Sequence, residues 1–540
     1  MKHRNPSLML VLSLAIVCLL SANSLSAPAA DNEKARNRAE RALRAGDFQR
    51  AEQMYRDILA RDDHDLEARL GLSRTLLKQR RSQEAFDHAA RVIAVNPLSA
   101  RAHALLGAAV LASGDFRLSV EEFRTALTLN EEEAIAIAGL AMVDYYENRM
   151  ASCLARMRRA VAIDSAEPDY IFSLGQAAAR SERYKEAADA YERFLLIAPR
   201  TDEDRRARIR GLIDFLRYLG QQGSLYNVDG ADRTVVSFEA PDLRPILTIK
   251  VNGSKQTLRF VLDTGSGMSV LSEETARKIG IRPVARGGMA RAVGGGGKFE
   301  IVYGYLNSLE IGDIKVSKVP VYIRHFYDET NPVDGYLGIA AINHMVTSVD
   351  YGNMKLTLDR RRKDQETPET AATPNQGAGT VAISPAINIP MRTTASGFLS
   401  GEVLVDGFTK PMNFIIDTGA TVTVLSERTA AMDEAQGFIR PSRMRVYGAA
   451  GVAENVKVAM LRKIAIGSYS REDVDAAVLD LESVNETAGF LQSGILGGNF
   501  LRHYRIIFDF PHGVMRFEPL QPEGTQKISQ PPPDLSGRSQ

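Results

Sequence analysis

Phe48, Ser82, Phe116, Met150 and Tyr184 stand at a constant interval of 34 residues, and Ala51, Ala85, Ser119, Cys153 and Ala187 follow them three positions later. Self-similarity at a period of roughly 20–50 residues means stacked structural units, so this interval constrains the architecture before any single residue is weighed. The stretch 32–220 is rich in Ala, Leu, Arg and Glu and almost free of proline, which makes the unit helical. Gly46-Asp47-Phe48 and Gly114-Asp115-Phe116 mark the turn between paired helices, and Pro97 and Pro199 fall where one unit hands over to the next. Each helix pair leaves an apolar face that the next pair buries, and small residues permit the close approach. Cys153 therefore reads as a small packing residue and not as a reactive thiol.

The interval and pattern resemble tetratricopeptide repeats. The resemblance implies an α-solenoid of helical hairpins whose concave groove takes a protein partner or a substrate segment. The Arg-rich stretch Glu203 to Leu219, with its apolar stripe, reads as a solvating cap helix that ends the array.

From about residue 230 the texture changes to short runs of Val, Ile, Thr and Phe broken by Gly, Asn and Asp, a strand-and-turn pattern. A stretch of charged residues, Thr, Pro, Gly and Ala at 361–380 reads as a linker. It leaves two β lobes, 235–360 and 381–520, and a tail at 521–540 expected to be disordered.

The two lobes repeat each other. Phe260-Val261-Leu262-Asp263-Thr264-Gly265-Ser266 precedes Val270-Leu271-Ser272, and Phe414-Ile415-Ile416-Asp417-Thr418-Gly419-Ala420 precedes Val424-Leu425-Ser426. Each lobe adds an apolar-Gly element, Tyr336-Leu337-Gly338 or Ile495-Leu496-Gly497, and closes with Val349-Asp350-Tyr351 or Phe508-Asp509-Phe510. The duplicated motif resembles the pepsin and retropepsin superfamily of aspartic peptidases, two all-β acid-protease-like lobes. The resemblance implies that Asp263 and Asp417 are the catalytic pair. Two carboxyls about 3 Å apart cannot both ionise easily, so one serves as base to a water while the other serves as acid. Gly265 and Gly419 permit sharp turns. By resemblance, Thr264 and Thr418 hydrogen-bond across the pair of loops and hold them. The fourth position differs, Ser266 against Ala420, and the Ser266 hydroxyl is expected to tune its neighbour.

Two Gly-rich hairpin tips are candidate flaps: Gly294, Gly295, Gly296 and Gly297 in the first lobe, and Tyr447, Gly448 and Gly451 in the second. A flap on each lobe resembles a retropepsin dimer fused into one chain. Lys298 follows four glycines but lacks the Ser or Thr and the helix of a phosphate loop. The histidines are scattered, so neither a metal site nor any other cofactor is expected.

The 540 residues carry a formal net charge of +1, which points to no nucleic-acid partner. Lys2, His3 and Arg4, the apolar run from Leu8 to Leu20 and the small residues that follow read as a signal peptide at 1–29. An uncleaved anchor is the other reading of that run; with cleavage, no membrane span is expected to remain. Only Cys153 is left beyond it, which suits a bacterial periplasmic or extracellular protein built without a disulfide. The expectation is an exported aspartic endopeptidase acting on protein or peptide substrates. Two other readings of the same residues are an inactive peptide-binding scaffold, and lobes that pair only between chains.

Overall fold

The computed structural model describes residues 31–201, 203–291, 293, 298–328, 331–360, 388–449 and 451–520. The expected signal peptide at 1–29, linker at 361–380 and tail at 521–540 lie outside these residues.

The amino-terminal half consists of helical hairpins. Its helices are α1 (31–44), α2 (Phe48–Arg61), α3 (Leu66–Lys78), α4 (Ser82–Val95), α5 (Ala100–Ser113), α6 (Phe116–Leu129), α7 (Ala134–Tyr146), α8 (Met150–Ile163), α9 (Pro168–Arg180), α10 (Tyr184–Ile197) and α11 (Glu203–Leu219). The five residues at the 34-residue interval are the first residues of α2, α4, α6, α8 and α10. The small residues three positions later are all fully buried, as close helix packing requires. Two positions before each of these helices the backbone turns left-handed, at Gly46, Arg80, Gly114, Asn148 and Glu182. Glycine takes that conformation without steric cost, and the other three positions adopt it under the constraint of the repeat.

Successive odd-numbered helices touch one another, α3 with α5, α5 with α7 and α7 with α9, so they form the inner face of the curl. Ion pairs cross it: Arg74 to Glu167, Lys78 to Glu167 and Lys78 to Asp169, each at 2.6 Å, tie α3 to α9.

The first β lobe contains β1 (Asn227–Gly230), β2 (Arg233–Glu239), β3 (Ile246–Val251), β4 (Thr257–Asp263), β5 (Ser269–Ser272), α12 (Glu273–Lys278), β6 (Ala285–Arg291), β7 (Lys298–Ile311), β8 (Ile314–Arg324), β9 (Gly335–Gly338), β10 (Val346–Asp350) and β11 (Lys355–Asp359). The second contains β12 (Ile389–Pro390), β13 (Arg392–Thr393), β14 (Leu399–Val405), β15 (Met412–Ile416), β16 (Thr423–Ser426), α13 (Glu427–Ala430), β17 (Ile439–Gly448), β18 (Gly451–Ile466), β19 (Tyr469–Leu479), α14 (Glu482–Ala488), β20 (Gly494–Leu496), α15 (Gly498–Leu501), β21 (Tyr504–Asp509) and β22 (Val514–Pro519).

The lobes meet in one continuous run of strands, β12-β22-β21-β10-β11-β2. At its centre β10 and β21 are antiparallel, with Val346 opposite Asp509 and Asp350 opposite Arg505. The closing strands of the two halves are therefore each other's neighbours. One apolar core runs through both lobes, from Phe238 and Phe260 to Phe414 and Phe517.

The cap helix differs from its sequence reading. The face of α11 that a terminal cap would leave in water is covered by the first lobe, where it packs on β6. Phe215 stacks on Tyr303 with centroids 4.3 Å apart, and Tyr218 meets Tyr305 edge-on at 5.5 Å. A Cβ at Gly211 would lie 2.0 Å from the Arg286 carbonyl, so only glycine permits the contact. Phe490 of the second lobe inserts among Phe116 and Tyr146 of the repeats, at 4.9 and 5.0 Å. Tyr303 and Phe490 belong to the same apolar cluster as the repeat residues. The repeats and lobes thus share a core.

Candidate active site

The two Asp-Thr-Gly segments follow equivalent strands and are pinned in equivalent ways. In the first lobe β4 ends at Asp263 and lies parallel to β9, with Asp263 opposite Gly338. In the second, β15 lies parallel to β20, and the Asp417 amide donates to the Leu496 carbonyl at 3.0 Å. A Cβ at Gly338 would come within 2.6 Å of the Met268 backbone, and one at Gly497 within 2.6 Å of Val422, so both glycines let a strand lie against the loop. The serines that end each Val-Leu-Ser triplet are helix N-caps: Ser272 accepts from the Thr275 amide and Ser426 from the Thr429 amide, each at 3.0 Å.

These anchors bring the two loops face to face. The Thr264 hydroxyl donates to the Ile416 carbonyl at 2.7 Å, and the Thr418 hydroxyl donates to the Leu262 carbonyl at 2.6 Å. Each hydroxyl also accepts from the opposite threonine's amide, at 3.0 and 3.1 Å. Both threonines are fully buried, so all four bonds are shielded from water. Gly265 and Gly419 sit against the opposing carboxyls: a Cβ would lie 2.4 Å from Asp417 Cγ and 2.8 Å from Asp263 Cγ respectively.

The two aspartates are not equivalent. Burial raises both carboxyls above their ordinary range. Asp263 rises further because the Asp417 charge repels a second one. Asp417 is held down by the Gly419 amide, which donates to its Oδ1 at 2.7 Å, then by Asp263 and by the amides of Ala420 and Gly265. The pair therefore titrates as a unit, with Asp263 the more strongly raised of the two. Asp263 Oδ1 is buried without a hydrogen-bond partner among the described residues.

Ser266 behaves otherwise than expected. Its hydroxyl donates to the Met268 carbonyl of its own loop at 3.2 Å, so the asymmetry of the pair comes from backbone amides.

Tyr447 and Gly448 end β17 and Gly451 opens β18, so the second candidate flap is a hairpin tip, with Tyr447 exposed. Gly294, Gly295, Gly296 and Gly297 lie outside the described residues. The carbonyl of Val293, just before them, accepts from the Ala449 amide at 3.1 Å, and Val293, Val446 and Met444 pack against the same apolar cluster. The second candidate flap is therefore tied to the first lobe, and Val293 and Ala449 line the cavity that contains the aspartates. Lys298 is engaged elsewhere, in an ion pair with Asp204 of α11 at 2.6 Å.

One part of the site was missed from the sequence. The cavity containing both aspartates holds about 1850 Å³, and Tyr145, Phe172, Gln176, Arg180 and Leu212 of the repeats are among the residues that line it. Arg180 covers the Tyr145 ring at 3.7 Å and donates to the Thr394 carbonyl at 2.6 Å, which fixes the wall to the second lobe. The available signal was Gly211, since a glycine inside a helix usually marks a close packing contact.

Residues 247–341 and 401–500 match the family model for aspartyl protease, and residues 42–109 match that for tetratricopeptide repeat. Matching solved structures include the tetratricopeptide protein TTC0263 of Thermus thermophilus, 20% identical over 34% of this chain and 98% of that one, with a TM-score of 0.30. MamA from Desulfovibrio magneticus RS-1 is 20% identical over 31% and 94%, with a TM-score of 0.23. Pseudomonas aeruginosa pilF is 13% identical over 36% and 90%, with a TM-score of 0.27. No curated protein matches the chain.

Proposed function

We propose that this chain, which joins tetratricopeptide repeats to an aspartyl protease domain, is an aspartic endopeptidase that works outside the cytoplasm. The observation that carries the reading is the paired loop: two half-buried carboxyls are brought together by four reciprocal threonine hydrogen bonds within a single chain. That pairing within one chain favours a self-sufficient pair over lobes that meet only between chains.

The chemistry follows from the asymmetry of the pair, in which Asp263 is the more strongly raised carboxyl. Asp417 takes a proton from a water whose oxygen attacks the scissile carbonyl carbon, while Asp263 gives its proton to the carbonyl oxygen. A gem-diol results. It collapses as the proton on Asp417 passes to the amide nitrogen, the C–N bond breaks, and one hydroxyl proton returns to Asp263. The flap contact between Ala449 and Val293 excludes bulk water during these steps. The repeats serve protein–protein interaction.

Export is part of the proposal. It is supported by the basic residues, apolar run and small residues at the start of the sequence. Among the described residues no helix is long and apolar enough to cross a membrane. Amino-terminal sequencing of protein recovered from a bacterial periplasmic extract tests it, and a retained Met1 rules cleavage out.

The decisive experiment is profiling of a peptide library across pH with the wild type, Asp263→Asn and Asp417→Asn. Cleavage by the wild type alone is the expected result. Cleavage by either variant at the wild-type rate overturns the shared-proton assignment.

A further inference from the structure

The cavity at the aspartates is larger than catalysis on a small molecule calls for. Pockets for such ligands hold about 300–1,000 Å³, against about 1850 Å³ here. Its walls come from both lobes and from α7, α9 and α11. The repeat wall is fixed: Phe490 is seated between Phe116 and Tyr146, the Leu491 amide donates to the Ala112 carbonyl at 3.0 Å, and Asn413 donates to the Gly114 carbonyl at 3.2 Å. Elsewhere the inner face of the curl is crossed by the ion pairs from Arg74 and Lys78 to Glu167 and Asp169. The part of the inner face made by α7 and α9 lines the same cavity as the two aspartates.

We infer that the inner face of the repeats is the distal half of the substrate site, and that its occupant is an extended, unfolded segment of another polypeptide held at once by the repeats and the aspartates. This rests on the peptidase reading. The walls set the class of occupant. A folded domain does not fit between two bodies that share a core, whereas an extended strand needs only its own cross-section. The repeat wall offers Phe172, half-buried beside Arg205, and Gln176, whose side-chain amide can both donate to and accept from a peptide unit. Selection by length follows: a chain long enough to reach from the aspartates to α9 gains contacts that a short peptide lacks.

The absence of tryptophan from the chain provides the test. Gln176→Trp places a single indole on the repeat wall, away from the aspartates. In the Asp263→Asn background, a long unfolded segment of β-casein is expected to shift its emission, and a short fragment of the same segment is not. In the active protein, the same substitution is expected to lower kcat/KM for the long segment about tenfold while the short fragment changes less than about twofold. Ser173→Tyr, which fills the same wall from the preceding turn of α9, is expected to give the same split. Unchanged emission together with undiminished cleavage of the long segment by both variants overturns the inference. An emission shift in a protein that cleaves nothing, wild type included, sinks the peptidase reading and leaves the shared groove standing.

Discussion

The amide of Thr264 donates to the hydroxyl of Thr418 at 3.1 Å, and the amide of Thr418 returns the bond to the hydroxyl of Thr264 at 3.0 Å. Neither loop holds its shape without the other. Thr264→Val keeps the side-chain volume but strands the Ile416 carbonyl and the Thr418 amide in a buried place. Each stranded group costs about 1–3 kcal/mol, so a loss of roughly 2–6 kcal/mol in urea unfolding is expected. Thr264→Ser keeps both bonds and is expected to lose well under half as much.

The aspartates predict a pH dependence whose sign is fixed. Both carboxyls are raised in the folded protein, so the native state binds protons more tightly than the unfolded chain. Stability conferred by them is complete below the unfolded carboxylate value of about 3.9 and declines as pH rises through the folded values. Asp263→Asn removes the more strongly raised group. It is expected to flatten the decline and to leave the protein at least as stable as wild type near neutral pH, while cutting turnover about 10²–10⁴-fold. Urea midpoints measured from acid to neutral pH, beside rate profiles, check both. An Asn variant less stable than wild type near pH 7 contradicts the assignment of burial as the cause.

Gly265 faces the opposing carboxyl with no room for a methyl group. A Cβ there would lie 2.4 Å from Asp417 Cγ, so Gly265→Ala must displace the carboxylate or the loop. A displacement of about 1 Å at a reacting group costs about 10²-fold in rate. Steady-state kinetics is expected to show a loss of that order in kcat, with circular dichroism unchanged.

Phe490→Ala tests whether the repeats and lobes unfold together. Its ring is buried between Phe116 and Tyr146, and truncating a core phenylalanine costs about 3–5 kcal/mol. One cooperative transition, shifted equally for the helical signal and the near-ultraviolet tyrosine signal, is expected. Two separated transitions in the wild type refute the shared core.

Cys153 is fully buried, and its thiol is pushed up to about 12, first by burial and then by the charge of Asp144. A thiol in that state is a poor nucleophile. Ellman's reagent is expected to leave the native protein untouched for hours and to titrate it within minutes in urea; prompt labelling without denaturant contradicts the packing.

Much of this fold was legible because the sequence repeats itself twice, at 34 residues in the helices and once more in the β lobes. The repeat interval located the first residue of five helices, and the duplicated Asp-Thr-Gly segments located the paired loops. Legibility failed where geometry is imposed from outside the local sequence. Gly46 and Gly114 announce left-handed turns, but Arg80, Asn148 and Glu182 adopt the same turn with no such residue to mark it. The arginines of α11 suggested water on a face that in fact meets β6. The Ser266 hydroxyl could have bonded the carboxyl beside it, and only the loop's path shows that it reaches the Met268 carbonyl. The repeat wall of the cavity depends on how two halves of the chain dock, which no local pattern encodes.

The central pairing of β10 with β21 has a kinetic meaning. Where a symmetric pair of lobes comes from two molecules, dilution separates them, and specific activity falls with concentration. Here the partner is tethered, so association of the lobes is unimolecular and its effective concentration is set by the chain itself. Specific activity should therefore stay level down to enzyme concentrations at which a two-molecule assembly would fall apart.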